Sequence, residues 1–222
     1  MVEHSVLCKD ATVTFGEVLA LPRTSLLVDR GSSLAVMGPS GSGKSTLLAC
    51  IQGLQKPTSG TVRVLGQDQS SASRRARSDL RRQRMGLVQQ SPNLLEEFSA
   101  IENVAFPLLF DGMKRPEALR LAGQVLLAIG MRDRADADVR SLSGGEAQRI
   151  AVGRALIRPN LGLIVADEPT ASLDVENAHA VTSLLLDAAR EHSATVVLAT
   201  HDPSVAALCD HIFHLTREHD AT

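Results

Sequence analysis

The chain has 222 residues, a net charge of -2, 44% hydrophobic residues and 22% charged ones. That size and apolar content support one domain with a substantial core and room for an inserted lobe, and the near-neutral balance neither demands a polyanionic partner nor signals disorder. With 2% aromatics, no Trp and no Tyr, the chain is poorly equipped for a base-stacking nucleic-acid surface.

Cys8, Cys50 and Cys209 are far apart, odd in number and free of C-x-x-C spacing; they read as reduced thiols of a cytosolic protein, not as a disulfide framework or a zinc site. The opening MVEHSVLCKD has no basic flank followed by an apolar stretch, so no signal peptide is expected. No apolar run approaches the roughly 20 residues of a membrane span. Work at a membrane would require a partner that brings the chain there.

In chain order, 13–15 (VTF) and 61–66 (TVRVLG) read as antiparallel strands at one edge. Residues 33–37 (SLAVM) read as a strand, followed by a helix over about 44–53. Further strands are expected at 85–88 (MGLV), 162–166 (GLIVA) and 195–199 (TVVLA); the last two are apolar nearly throughout, which suits parallel strands buried on both faces. Helical patterns cover 117–129, 145–157 and 175–191. Strand and helix in alternation predict an α/β fold with a mainly parallel sheet. Residues from about 91 to 158 are mostly helical with no clear strand. They are expected to form a helical lobe inserted between two core strands, within a single domain whose core is 1–90 and 159–222.

Residues 38–46, GPSGSGKST, fit G-x-x-x-x-G-K-[ST] and sit between a strand and a helix, the context this phosphate loop requires. Gly38, Gly41 and Gly43, with Pro39, Ser40 and Ser42, let the backbone curl so that its N–H groups point at phosphate oxygens. The following helix adds the positive end of its dipole. Lys44 would reach the β- and γ-phosphates, the Ser45 hydroxyl would ligate Mg²⁺ and Thr46 would lie toward the α-phosphate. At average glycine content, a chance match in a chain this long is about a one-in-a-hundred event. The ligand expected is a nucleoside triphosphate with magnesium.

Residues 163–170, LIVADEPT, end an apolar strand in two carboxylates. Asp167 is where a magnesium-holding carboxylate belongs in such a fold, and Glu168, diverging from it, is placed to polarise the attacking water. His201 ends the buried run TVVLAT in the same way and would contact the γ-phosphate. The stretch 142–149, LSGGEAQR, opens another helix with Ser-Gly-Gly: a second anion cradle about a hundred residues from the first. One triphosphate does not need two cradles from one molecule, but a head-to-tail pair does, each copy offering its second cradle to its partner's nucleotide.

These motifs, in this order and over nearly the whole chain, resemble the ATP-binding cassette (ABC) ATPases, the nucleotide-binding domains of ABC transporters. The resemblance implies a P-loop NTPase core of RecA-like type, an antiparallel β edge and an inserted helical subdomain. It implies ATP and Mg²⁺ as ligands, with Glu168 as catalytic base, His201 as switch histidine, Gln90 of MGLVQQSPNLL as the Q-loop glutamine, and Ser45, Gln90 and Asp167 at the metal. Phe15 falls where the family stacks an aromatic on adenine; Ser143, Gly144 and Gly145 match the signature cradle; Asp174 of SLD matches the D-loop. It further implies an ATP-dependent homodimer, an integral-membrane permease as partner and residence at the cytoplasmic face of the inner or plasma membrane, held through that permease. Residues 94–113 with LSGGEAQRIAVGRAL look like the subgroup serving lipoprotein release and macrolide export, which points to export or extraction; a related cell-division type that moves no cargo shares every motif. Gln89 stands where an aromatic is common, and Glu96-Glu97-Phe98 replaces a Pro-containing turn, both near the expected permease contact. The arginine-rich 71–84 reads as a solvated face, and His211 and His214 as edge positions of a late strand.

Overall fold

Residues 4–216 are described by the computed structural model of the chain. The first eighth of the chain forms a long hairpin: β1 (His4–Phe15) and β2 (Val18–Asp29) pair antiparallel, turning where Gly16 adopts φ +60°. The hairpin is far longer than the short edge strand expected at 13–15. Next come β3 (Ser33–Met37), β4 (Ser59–Val64), β5 (Gln67–Asp68), β6 (Met85–Gln89), β7 (Leu163–Asp167), β8 (Thr195–Thr200) and β9 (His211–His214). One sheet is antiparallel, in the order β2-β1-β4-β5; the other is parallel, in the order β6-β7-β8-β3-β9. The predicted mixed α/β fold with a parallel core sheet and an antiparallel edge is what is found.

The inner parallel strands β3, β7 and β8 are buried on both sides, and their alternation assigns each face. Leu163, Val165, Val197 and Ala199 pack with the antiparallel sheet and the helix α1 (Lys44–Ile51). Ile164, Ala166, Val196 and Leu198 pack with helices α3 (Ala100–Phe110), α4 (Arg115–Ala128), α5 (Gly144–Leu156) and α6 (Val175–Glu191). Helices α3 to α5 lie in the chain between β6 and β7. Gly130, φ +68°, ends α4: its N–H reaches the Leu127 carbonyl and that of Met131 the Leu126 carbonyl, closing the helix. Short α7 (Pro203–Ala206) follows β8, and His211 and His214 do lie on an edge strand.

The arginine run forms a helix, α2 (Arg74–Arg84), none of it buried. Four of its arginines nevertheless hold neighbours. Arg77 and Arg81 donate to the Gly53 and Gln52 carbonyls at the C-terminus of α1, where a cation complements the helix dipole. Arg84 donates to the Asn160 carbonyl. Arg82 and Arg158 share the two oxygens of Asp111, at 2.8 and 2.7 Å. All three cysteines are free; burial pushes the Cys8 thiol up to about 12 and the Cys50 thiol up to about 11.

Candidate nucleotide site

Strand register decides where the site lies. Met37 pairs with Thr200, Ala199 with Asp167, and Asp167 with Gln89, so four parallel strands finish at about one level. The residues immediately beyond them are Gly38, His201, Glu168 and Gln90. Four motifs far apart in the chain thus emerge along one edge, the carboxyl end of a parallel sheet, where α/β folds bind ligands.

The phosphate loop runs from β3 into α1. A Cβ on Gly38 would lie 2.4 Å from the Leu215 carbonyl and 2.6 Å from Ser42 Oγ; one on Gly43 would lie 2.7 Å from the Ala20 carbonyl, at φ +105°. Both positions therefore require glycine, and Gly41 also takes positive φ. Gly43 caps α1, whose first turn carries no acid. Lys44 is buried; its ammonium donates to the Gly38 carbonyl at 2.7 Å and the Pro39 carbonyl at 3.2 Å. Ser45 is exposed and Thr46 half-buried on the first turn, while Pro39 and Ser40 are exposed.

Glu168 meets both sides of this edge. Its backbone adopts φ +47°, uncommon for a side-chain-bearing residue, and its N–H bonds to the Ala199 carbonyl at 2.9 Å. That turn directs its carboxylate to within 3.9 Å of Lys44 Nζ and 2.8 Å of His201 Nδ1. Neighbouring Asp167 has a buried Oδ1 without a protein partner, and so has the Ser42 hydroxyl. An orphaned buried acceptor is costly. Asp167 with the Ser45 hydroxyl and the Gln90 amide oxygen makes an all-oxygen donor set of the kind that suits a hard cation such as Mg²⁺.

Phe15 ends β1 and is 56% exposed; Val18 and Leu19 across the turn are 66% and 51% exposed. The next residues of β2, Ala20 and Leu21, abut Gly43. Phe15 and Val18 are cross-strand partners and share one face of the hairpin end beside the phosphate loop, while Leu19 points to the other face. Sequence reading identified Phe15 alone; the missed signal was the apolar residue directly after a Gly-containing turn.

The signature cradle opens α5 through a reciprocal cap. Ser143 N–H donates to Glu146 Oε2 at 2.8 Å, and Glu146 N–H to Ser143 Oγ at 3.3 Å. The Ser143 N–H, its hydroxyl and the nearby Arg134 hold the Glu146 carboxyl below its usual range. Gly144 rests on Leu173, and a Cβ on Gly145 would lie 3.1 Å from Asn177 Oδ1. Asp174 caps α6, accepting from Asn177 N at 2.9 Å and Asn177 Nδ2 at 2.7 Å. The structure thus joins Lys44, Glu168 and His201 in one group, and the Ser143–Gly145 segment with Leu173 and Asn177 in another. Gln148 and Arg154 lie within the LSGGEAQRIAVGRAL stretch but were given no role of their own, and Asn177 was not singled out.

Among the described residues no helix is long and apolar enough to cross a membrane. The sequence matches the ABC transporter family over residues 21–171. It is 45% identical over 195 residues to the lipoprotein-releasing system ATP-binding protein LolD 1 of Caulobacter vibrioides, covering 87% of this chain and 82% of that one. It is 37% identical to LolD of Pseudomonas fluorescens over 99% of this chain and 98% of that one. Its fold is similar to a dimeric ATP-binding cassette, MJ0796, in a post-hydrolysis state bound to ADP and Pi (TM-score 0.84, 35% identity, 95% and 94% coverage). It is likewise similar to cbiO1 of Clostridium perfringens, part of the ABC transporter complex cbiONQ (TM-score 0.88, 27% identity, 96% and 85% coverage). A phosphate loop, a carboxylate pair and a histidine gathered at the sheet edge, with a separate signature cradle, thus go with matches across most of the chain: it belongs to the ABC transporter family, as an ATP-binding and ATP-hydrolysing subunit.

Proposed function

We propose that two copies of this chain close head to tail around ATP and so drive a separately encoded membrane permease, in the service of extracting lipid-anchored proteins. The observation that carries the pairing is the division of the site: Lys44, Glu168 and His201 meet at the sheet edge, whereas Gly144 and Gly145 rest on Leu173 and Asn177. Each group is half of a chamber, and rotation by two-fold symmetry brings the halves together twice.

In this reading the helical segment of about 91–158 is the subdomain that carries the cradle, and 1–90 with 159–222 the core that carries the phosphate loop. Phe15, with Val18 across the turn, receives adenine. Residues 38–46 receive the phosphates. Ser45, Gln90 and Asp167 would hold Mg²⁺, which would supply neutralisation of phosphate charge when bound. Glu168 orients and polarises the attacking water, and His201, bonded to Glu168, stabilises the γ-phosphate end. The partner's cradle, Ser143 to Gly145, and Asp174 complete the enclosure. Phosphoryl transfer depends mainly on positioning and charge stabilisation, so a chamber completed by pairing makes hydrolysis wait for pairing.

The permease contact is assigned to a cavity of about 360 Å³ between α2, β6, α3 and α5, with Leu87, Phe106 and Phe110 among its apolar walls and Arg81, Arg82 and Arg158 among its cations. Arg82 and Arg158 are paired with Asp111, so the apolar walls are what suit an amphipathic cytoplasmic segment. The cargo class rests on the LolD relatives. The test is purification from solubilised membranes: a permease with a large outer domain should co-purify, and ATP should release a lipidated protein from liposomes holding the complex. Co-purification of a permease that releases no lipidated protein contradicts the cargo.

A further inference from the structure

We propose that Gln148 and Arg154, both on α5, are positioning residues for Gln90, so that the helix carrying the signature cradle also holds the nucleotide-facing glutamine of its own chain. The proposal rests on the reading above, in which Gln90 faces the bound nucleotide and the Ser143–Gly145 cradle faces the partner's.

The segment that leaves β6, residues 90–99, has almost no regular structure, and such a loop is ordinarily mobile. Here side chains from two helices hold its backbone. Gln148, 1% exposed, donates from Nε2 to the Gln89 carbonyl at 2.9 Å. That carbonyl belongs to the peptide group whose nitrogen is Gln90's own, so this bond sets the peptide plane from which Gln90 departs. Arg154 donates to the Pro92 carbonyl at 2.5 Å and the Asn93 carbonyl at 2.7 Å. Farther along, Asn103 of α3, fully buried, donates to the carbonyls of Leu95, Phe98 and Ser99 and accepts from Leu95 N–H. Within the loop, Asn93 Nδ2 donates to Gln89 Oε1 at 2.6 Å.

Arg154 is the telling member. Burial holds its pKa below the usual arginine value, and its hydrogen-bond partners are loop carbonyls. Tying a partly buried guanidinium to two carbonyls is a poor route to stability, but it fixes two points of a backbone in a forked geometry. Gln148 lies five residues beyond Ser143 on one helix, about 8 Å along its axis. Gln90 stands between two holds from this helix, that of Gln148 on Gln89 at the end of β6 and that of Arg154 on Pro92 and Asn93. A Gln90 drawn toward a nucleotide therefore pulls, through both of its flanks, on the helix that carries the cradle. A staple that merely stabilised the loop would carry no such coupling.

The test uses the full chain with Glu168→Gln, which holds ATP without turnover, and compares Gln148→Met and Arg154→Met with that parent. Dimerisation is read by sedimentation velocity over a range of ATP concentrations, and monomer affinity with fluorescent ADP. ADP binding should stay within about twofold of the parent, because the phosphate loop is untouched. ATP-driven dimerisation should weaken about tenfold or more, the scale of one lost buried hydrogen bond. Arg154→Lys, which keeps the charge and reaches one carbonyl, should recover part of the loss. Dimerisation as tight as the parent's in both methionine variants overturns the proposal, as does a parallel loss of ADP binding and dimerisation. If the methionine variants do not fold, Gln148→Glu and Arg154→Lys carry the same comparison, and parent-like dimerisation in both overturns it. Ser143→Glu separates the two levels: if it dimerises like the parent, the head-to-tail reading itself fails. If it abolishes dimerisation while the Gln148 and Arg154 variants pair normally, this inference alone fails.

Discussion

Glu168→Gln removes one charge from the centre of the site and leaves its shape. The backbone stays at φ +47° with its N–H on the Ala199 carbonyl, and glutamine is no worse suited to that conformation than glutamate. The carboxylate lies 3.9 Å from Lys44 Nζ; at an effective dielectric of 20 this attraction is about 4 kcal/mol. Desolvation of the two charges offsets part of that. Losing it frees Lys44 for the incoming phosphates and removes a repulsion toward the γ-phosphate, so ATP binding should hold or tighten. Hydrolysis should fall about 10²- to 10⁴-fold, the usual cost of losing a general base, equivalent to about 3–5 kcal/mol on the barrier. Phosphate release under single-turnover conditions and ATP affinity by filter binding measure the two effects separately. Turnover within about threefold of wild type would remove Glu168 from the chemistry, since no base of comparable strength is lost for so little. Lost ATP binding would show that it holds the site together instead.

Other outcomes follow from the same geometry. Lys44→Ala deletes the buried cation of the proposed phosphate loop, and ATP affinity should weaken about tenfold to a hundredfold; unchanged affinity by calorimetry counts against the phosphate-loop assignment. Phe15→Ala should cost about 1–3 kcal/mol of nucleotide affinity, as base–aromatic stacking does, whereas Phe15→Tyr should bind as wild type; equal affinities for all three chains would displace adenine from this platform. Acid should loosen the helical segment: the Ser143 N–H depresses the Glu146 pKa and the Ser99 N–H that of Glu102, with Arg134 and Arg115 assisting. Folded-state values below the unfolded ones mean that this stabilisation is complete above about pH 4.3 and is lost as pH falls through the depressed values. Melting curves of wild type and Glu102→Gln/Glu146→Gln should therefore converge toward pH 3; a constant gap down to that pH refutes the caps' contribution.

The parts that sequence made legible are those with a local signature. GPSGSGKST needs glycines where the backbone turns against the Leu215 and Ala20 carbonyls, and that need is written in residue type. Apolar runs ending in Asp167, Thr200 and Met37 announced the parallel sheet, because strands buried on both faces tolerate few polar residues. The hairpin of β1 and β2 was largely invisible: Lys9-Asp10 and Pro22-Arg23 interrupt the alternation and the register shifts along it. Helix α2 was hidden by its composition, since a helix with no buried residue has no apolar stripe to read. Gln148, Arg154 and Asn103 lie in the stretches that carry the family resemblance, but their role was hidden for a different reason. Their partners are carbonyls, which every residue has, so only the folded arrangement tells them from ordinary polar side chains.

The central claim is that each catalytic chamber is built from two copies. Mixing Lys44→Ala chains with Ser143→Glu chains tests it most directly. Each variant alone has two damaged chambers, but a mixed pair gathers both defects in one chamber and leaves the other intact. The account predicts that the mixture regains ATPase activity that neither component has, up to about half of wild type for fully mixed pairs, each having one working chamber. A mixture no more active than the average of its two inactive components would contradict it.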